Sequence, residues 1–75
     1  MTIYFWEIAD LTDQEREYCW EYRRVKDAVA SLEYLQVWQP HLADSVQGRL
    51  EQLKQRRDVM KRVVDQLYAR CHPER

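Results

Sequence analysis

The sequence predicts an all-α protein: an antiparallel two-helix hairpin of coiled-coil type that carries an aromatic N-terminal segment and dimerises to a four-helix bundle. Three observations point there. Leu50, Leu53, Arg57, Met60, Val64, Leu67 and Cys71 alternate steps of three and four residues. An apolar stripe recurring every 3.5 residues leaves water only by lying against another helix. One Gly and two Pro in 75 residues leave little to interrupt long helices. A single domain of this size buries only about 60% of the surface its unfolded chain exposes, so it leans on association or on well-formed helix packing.

Residues 1–11, MTIYFWEIADL, crowd Ile3, Tyr4, Phe5, Trp6 and Ile8 together. β-Branched and aromatic residues at this density predict an extended segment or one short turn of helix. Thr12-Asp13-Gln14-Glu15 fits a capping box, with the Thr12 oxygen accepting from the third helical amide and Glu15 reaching back to the cap. The first long helix therefore spans residues 12–38. Tyr18, Tyr22, Val25, Val29, Leu32 and Leu35 keep helical spacing along it, and Gln39-Pro40 ends it because the residue before a proline disfavours helix.

The second long helix spans residues 41–71. It starts with Pro40 at its first position or near Asp44 and Ser45, with Gly48 blurring its first turns, and Pro73 ends it. A short link between helices of this length gives an antiparallel hairpin about 40 Å long. Folding near residue 40 sets acidic Asp10, Asp13, Glu15 and Glu17 beside basic Lys61, Arg62 and Arg70. Those signs also suit the two helix dipoles.

Composition narrows the function classes. Apolar residues make up 45% of the chain and charged ones 33%. That is too apolar for a disordered tail and too charged for a membrane span. The longest uncharged apolar run, residues 3–6, is far too short to cross a bilayer, and no secretory pattern is evident, which leaves a cytoplasmic location as the expectation. Cys19 and Cys71 would sit out of level in such a hairpin and are read as free thiols.

Three groups of residues are candidates for function. The seam between the helices is assigned to Tyr22, Val25, Val29, Leu32, Leu50, Leu53, Met60, Val64 and Leu67, a structural role. Arg23, Arg24 and Lys26 fall roughly level with Lys54, Arg56 and Arg57, a basic belt that either binds phosphates or an acidic partner or is simply a solvated face. Arg57 also occupies an apolar heptad position. A polar side chain there fixes register at some cost in stability, with Tyr18 and Tyr22 as neighbours.

The third group comes from turning the first helix away from its seam, which exposes Trp20, Ala30, Tyr34, Val37 and Trp38. A two-helix hairpin cannot bury both faces. Either residues 1–11 fold back over this one, or a second copy or another protein covers it. Aromatic side chains dominate interface hot spots, so Phe5, Trp6, Trp20, Tyr34, Val37 and Trp38 are assigned to partner contacts.

No cofactor or metal is expected. His41 and His72 lack carboxylates or thiols at ligand spacing, and structural zinc needs four convergent ligands. No triad can be assembled and a hairpin offers no evident enclosed pocket, so neither enzymatic activity nor a small-molecule substrate is expected. The reading is a small interaction module: an adaptor, a chaperone-like subunit, or an inhibitor or regulator of another protein. The alternative is a dimeric helical bundle that binds nucleic acid through the basic belt; the net charge of −1 counts against it.

Overall fold

The computed structural model describes residues 3–71. All of its regular structure is helical: α1 (Phe5–Ile8), α2 (Asp13–Trp38), a single 3₁₀ turn (Pro40–Leu42) and α3 (Ala43–Cys71). No strand occurs among the described residues. The two long helices pack against each other, and the molecule is 48 Å long by 26 and 25 Å across. No helix of the described residues is long and apolar enough to cross a membrane. The stop assigned to Pro73 lies outside the described residues.

The start of α2 follows from local chemistry. The Thr12 amide donates to Glu15 Oε1 at 2.9 Å and the Glu15 amide donates to Thr12 Oγ1 at 3.1 Å, so the capping box is complete. Two donors that a helix start would leave bare are thereby satisfied. Gln39 ends α2 with its amide on the Leu35 carbonyl. Pro40 then opens the 3₁₀ turn that leads into α3. Gly48, inside α3, has no positive φ and nothing within 4 Å of where a Cβ would stand, so the helix passes straight through it.

Of the residues assigned to the seam, Tyr22, Val25, Val29, Leu50, Met60, Val64 and Leu67 are buried, while Leu32 and Leu53 are half-buried. The core is uneven along the hairpin, however. One cluster at the open end joins Trp6, Leu11, Cys19, Tyr22, Val25, Met60, Val64 and Leu67. Toward the turn, Val29 and Leu50 are buried outside that cluster. Arg57 lies between the two groups, half-buried, with both Nε and Nη2 on Asp58 Oδ1 at 3.3 and 3.2 Å. Its charge is thus met by the neighbouring carboxylate of its own helix.

The register differs from a fold centred on residue 40. Gln36 Nε2 donates to Gln47 Oε1 at 2.7 Å, Lys54 pairs with Glu33 at 3.3 Å and Arg70 with Glu15 at 2.8 Å. These pairs centre the hairpin near Leu42, because the 3₁₀ turn takes up the residues after Pro40. Of the complementary charges expected at the open end, Glu15 and Arg70 meet. Asp13 instead pairs with Arg16 at 3.5 Å and Lys61 with Asp65 at 3.2 Å, each within its own helix.

Candidate functional site

The outer face of α2, opposite the seam, is where the structure concentrates its surface aromatics. At about 100° per residue, Trp20, Arg23, Asp27, Ala30, Ser31, Tyr34 and Trp38 fall on the side away from Tyr22, Val25 and Val29. Trp20 and Trp38 stand about five turns apart, roughly 27 Å. The face is therefore one long strip with an aromatic residue at each end.

Its N-terminal half is covered by the chain itself. Tyr4 stacks on Trp6 with ring centroids 4.6 Å apart, and both rings meet Trp20 edge-on at 5.6 and 5.5 Å. Phe5 packs edge-on against Trp6 at 5.4 Å and against Tyr68 of α3 at 5.0 Å, so the segment spans both long helices. Arg23 holds its guanidinium 4.7 Å over the Tyr4 ring. Trp6 is left 5% exposed. Its indole N–H has no acceptor among the described residues, so ring packing rather than a side-chain hydrogen bond holds the indole in place.

Arg16 is the residue that sequence reasoning missed. Its Nε donates to the Trp6 carbonyl at 3.0 Å, and its Nη2 donates to the carbonyls of Ala9 and Leu11 at 3.3 Å each. A helix of four residues has almost no internal hydrogen bonding, so its carbonyls need donors from elsewhere. Arg16 supplies them from the first turn of α2, with a planar fork suited to several oxygens at once. The available signal was its place one turn after the capping Thr12, on a helix whose entry must be pinned.

Glu15 closes the same end. The Arg70 guanidinium, and then the Thr12 amide, hold its carboxyl at about 2, well below the usual carboxylate range. The Glu15 carboxylate in turn raises Arg70. Cys19 lies beneath, fully buried, and burial first, then the Glu15 charge, pushes its thiol up. Cys71 packs against the same cluster, and both thiols are free. An open depression of about 440 Å³ beside them is lined by Ile8, Ala9, Asp10, Arg70 and Cys71.

The C-terminal half of the strip has no such cover. Tyr34, Val37 and Trp38 are 63%, 73% and 67% exposed. The rings of Tyr34 and Trp38 lie 5.8 Å apart at 37° to each other and form one continuous patch. Of the six residues assigned to partner contacts, Phe5, Trp6 and Trp20 are thus packed within the chain, whereas Tyr34, Val37 and Trp38 face outward.

The basic belt is brought together only in part. Glu21 joins Arg24 at 3.1 Å and Arg56 at 3.5 Å, linking the two helices. Arg23 pairs with Asp27 at 3.5 Å, Arg57 with Asp58, and Lys54 with Glu33 toward the turn. Lys26 lies 5.5 Å over the Tyr22 ring. Glu21, Asp27, Glu33 and Asp58 therefore sit among these cations. His41 lies exposed in the 3₁₀ turn, while His72 is outside the described residues. Compared with protein-family models, curated proteins and solved structures, the chain finds no match.

Proposed function

We propose that this chain is a small non-enzymatic interaction module, an adaptor, chaperone-like subunit or inhibitor, that docks on a protein surface through the turn end of α2. The observation that carries the reading is the contiguous Tyr34–Val37–Trp38 patch, left mostly exposed while the aromatics at the other end of the same face are covered. Two aromatic rings and a valine present on the order of 400 Å² of apolar surface, within the size at which an exposed patch signals a binding site. Trp and Tyr are also the side chains most enriched among interface hot spots.

The partner is a larger protein or a second copy of the chain, the second copy completing a four-helix assembly. Nucleic-acid binding has less support, since Glu21, Glu33, Asp27 and Asp58 pair with five of the six belt cations. Phosphates would have to displace those carboxylates.

Capture from extracts of cells that encode the chain tests the reading, comparing the wild type with the Tyr34→Ala/Trp38→Ala double variant. The expected result is a defined protein, or the chain itself, retained by the wild type through a rise in salt and lost at least about tenfold in the variant. Capture unchanged by the double substitution, or recovered material that is nucleic acid released by salt, overturns it.

A further inference from the structure

We infer that the occupant of the outer face of α2 is a second copy of the chain, docked antiparallel across a two-fold axis at Ala30 and Ser31. The inference rests on the reading of that face as a docking surface and names its partner. A two-fold contact is isologous: each position meets the position equally far on the other side of the axis. What the sequence must then supply is matched chemistry at the paired positions, and the strip supplies it when the axis falls at Ala30 and Ser31.

Around an axis at Ala30 and Ser31, Tyr34 comes level with Asp27 of the second copy, and Trp38 with Arg23 of the second copy. Both pairings are chemically complementary. A Tyr hydroxyl donates to a carboxylate, and Asp27 is largely exposed, with its Oδ2 3.5 Å from Arg23 Nε. A Trp ring is the best face for a guanidinium, and Arg23 already lies over the Tyr4 ring at 4.7 Å. Trp38 of the second copy would take the other side of that guanidinium and extend the Tyr4, Trp6 and Trp20 cluster.

The middle of the strip suits close approach. Ala30 and Ser31 are both exposed and small, so two helices can cross there at the usual 8–10 Å separation. Symmetry buries the aromatic patch twice, once from each copy, together with the Arg23–Asp27 stretch that receives it. The total is on the order of 1,000 Å², about what a specific interface needs. Because this face lies opposite the seam, the four long helices form a row, with the two copies of α2 at its centre and a copy of α3 on each side.

Sedimentation equilibrium at micromolar concentration tests the inference on the full chain and on Ser31→Glu and Ser31→Lys. A side chain this near a two-fold axis is level with Ala30 of the second copy and lies within one residue of its own copy, so either charge repels itself while an equimolar mixture attracts. The expected result is a wild-type dimer, at least tenfold weaker association of each variant alone, and recovery on mixing. Ser31 is exposed, and unchanged helical circular dichroism confirms that the variants fold. A monomeric wild type, variants that dimerise as the wild type does, or a mixture that fails to recover each overturns the inference. A monomer that still captures another protein through Tyr34 and Trp38 removes the second copy but leaves the docking face; loss of both removes the docking face too.

Discussion

The two ends of the outer face of α2 carry the same kind of side chain and meet opposite fates. At one end Trp20 lies under Tyr4 and Trp6, with Arg16 fastening the covering segment by three carbonyls. At the other, Tyr34 and Trp38 lean against each other at a tilt in the open. The difference does not come from the hydrophobicity of the residues. It comes from reach: α1 joins α2 through the short stretch at Asp10 and Leu11, so it can fold back over the first turns and no farther. The covered end builds the protein, and the bare end adds little to its core.

Replacing the anchor of the cover gives the largest expected effect. Trp6→Ala removes a buried indole that meets Tyr4, Phe5 and Trp20, a change that costs about 3–5 kcal/mol. A domain of this length is stable by about 4–11 kcal/mol, so thermal denaturation should show a large fall in stability, reaching unfolding at the lower end of that range. Trp38→Ala, an equal loss of atoms, should stay within about 0.5 kcal/mol of the wild type because its ring is mostly in water. Equal destabilisation by the two would break the comparison. Trp6→Phe sharpens it: the buried indole N–H has no acceptor among the described residues, so Phe should retain most of the stability that Ala loses.

Much of this division was legible in the sequence, and what was not has a physical cause. The heptad seam and the Thr12–Glu15 cap are local patterns, so spacing alone revealed them. The second apolar face of α2 was equally visible, as was the choice of covers for it. That the segment before α2 would lie down on this face at all was not, because that depends on Arg16 meeting three backbone carbonyls, and carbonyls carry no sequence signature. The basic belt misled for a related reason. Setting the fold at Pro40 took no account of the 3₁₀ turn, and Glu33 comes level with Lys54 only in the register the turn imposes, while Glu21 meets Arg24 on its own helix and Arg56 across the seam.

An intermediate effect is expected from loosening the cover without emptying the core. Arg16→Ala deletes charge-assisted hydrogen bonds to the carbonyls of Trp6, Ala9 and Leu11 and should cost about 2 kcal/mol. Amide hydrogen exchange should then show residues 4–11 opening ahead of the seam, with the turn end unchanged. Arg16→Lys keeps the charge but not the fork, so it should recover only part of the loss. Uniform loss of protection along the whole hairpin would show that the two ends are not separable.

The smallest expected effect tests the same separation through pH. Arg70 and the Thr12 amide hold the Glu15 carboxyl at about 2 in the folded chain, against an ordinary value of 4.5. Below the ordinary value the unfolded chain binds a proton that the folded one refuses, so acid favours unfolding. The Glu15 contribution is therefore complete at neutral pH, declines as pH falls from about 4.5, and is gone below about 2. Other carboxylates titrate in the same window, so the measurement is the difference between the wild type and Glu15→Gln. The wild type should lead at neutral pH and converge on the variant in acid. Because Glu15 joins the cap of α2 to the last turn of α3, that loss belongs to the covered end. In a Trp38→Phe background the remaining tryptophans, Trp6 and Trp20, both report from there, and their fluorescence should follow the acid transition. A transition seen only when Trp38 is present would place the acid-sensitive contact at the turn instead, and the two ends would have to be read as one cooperative unit.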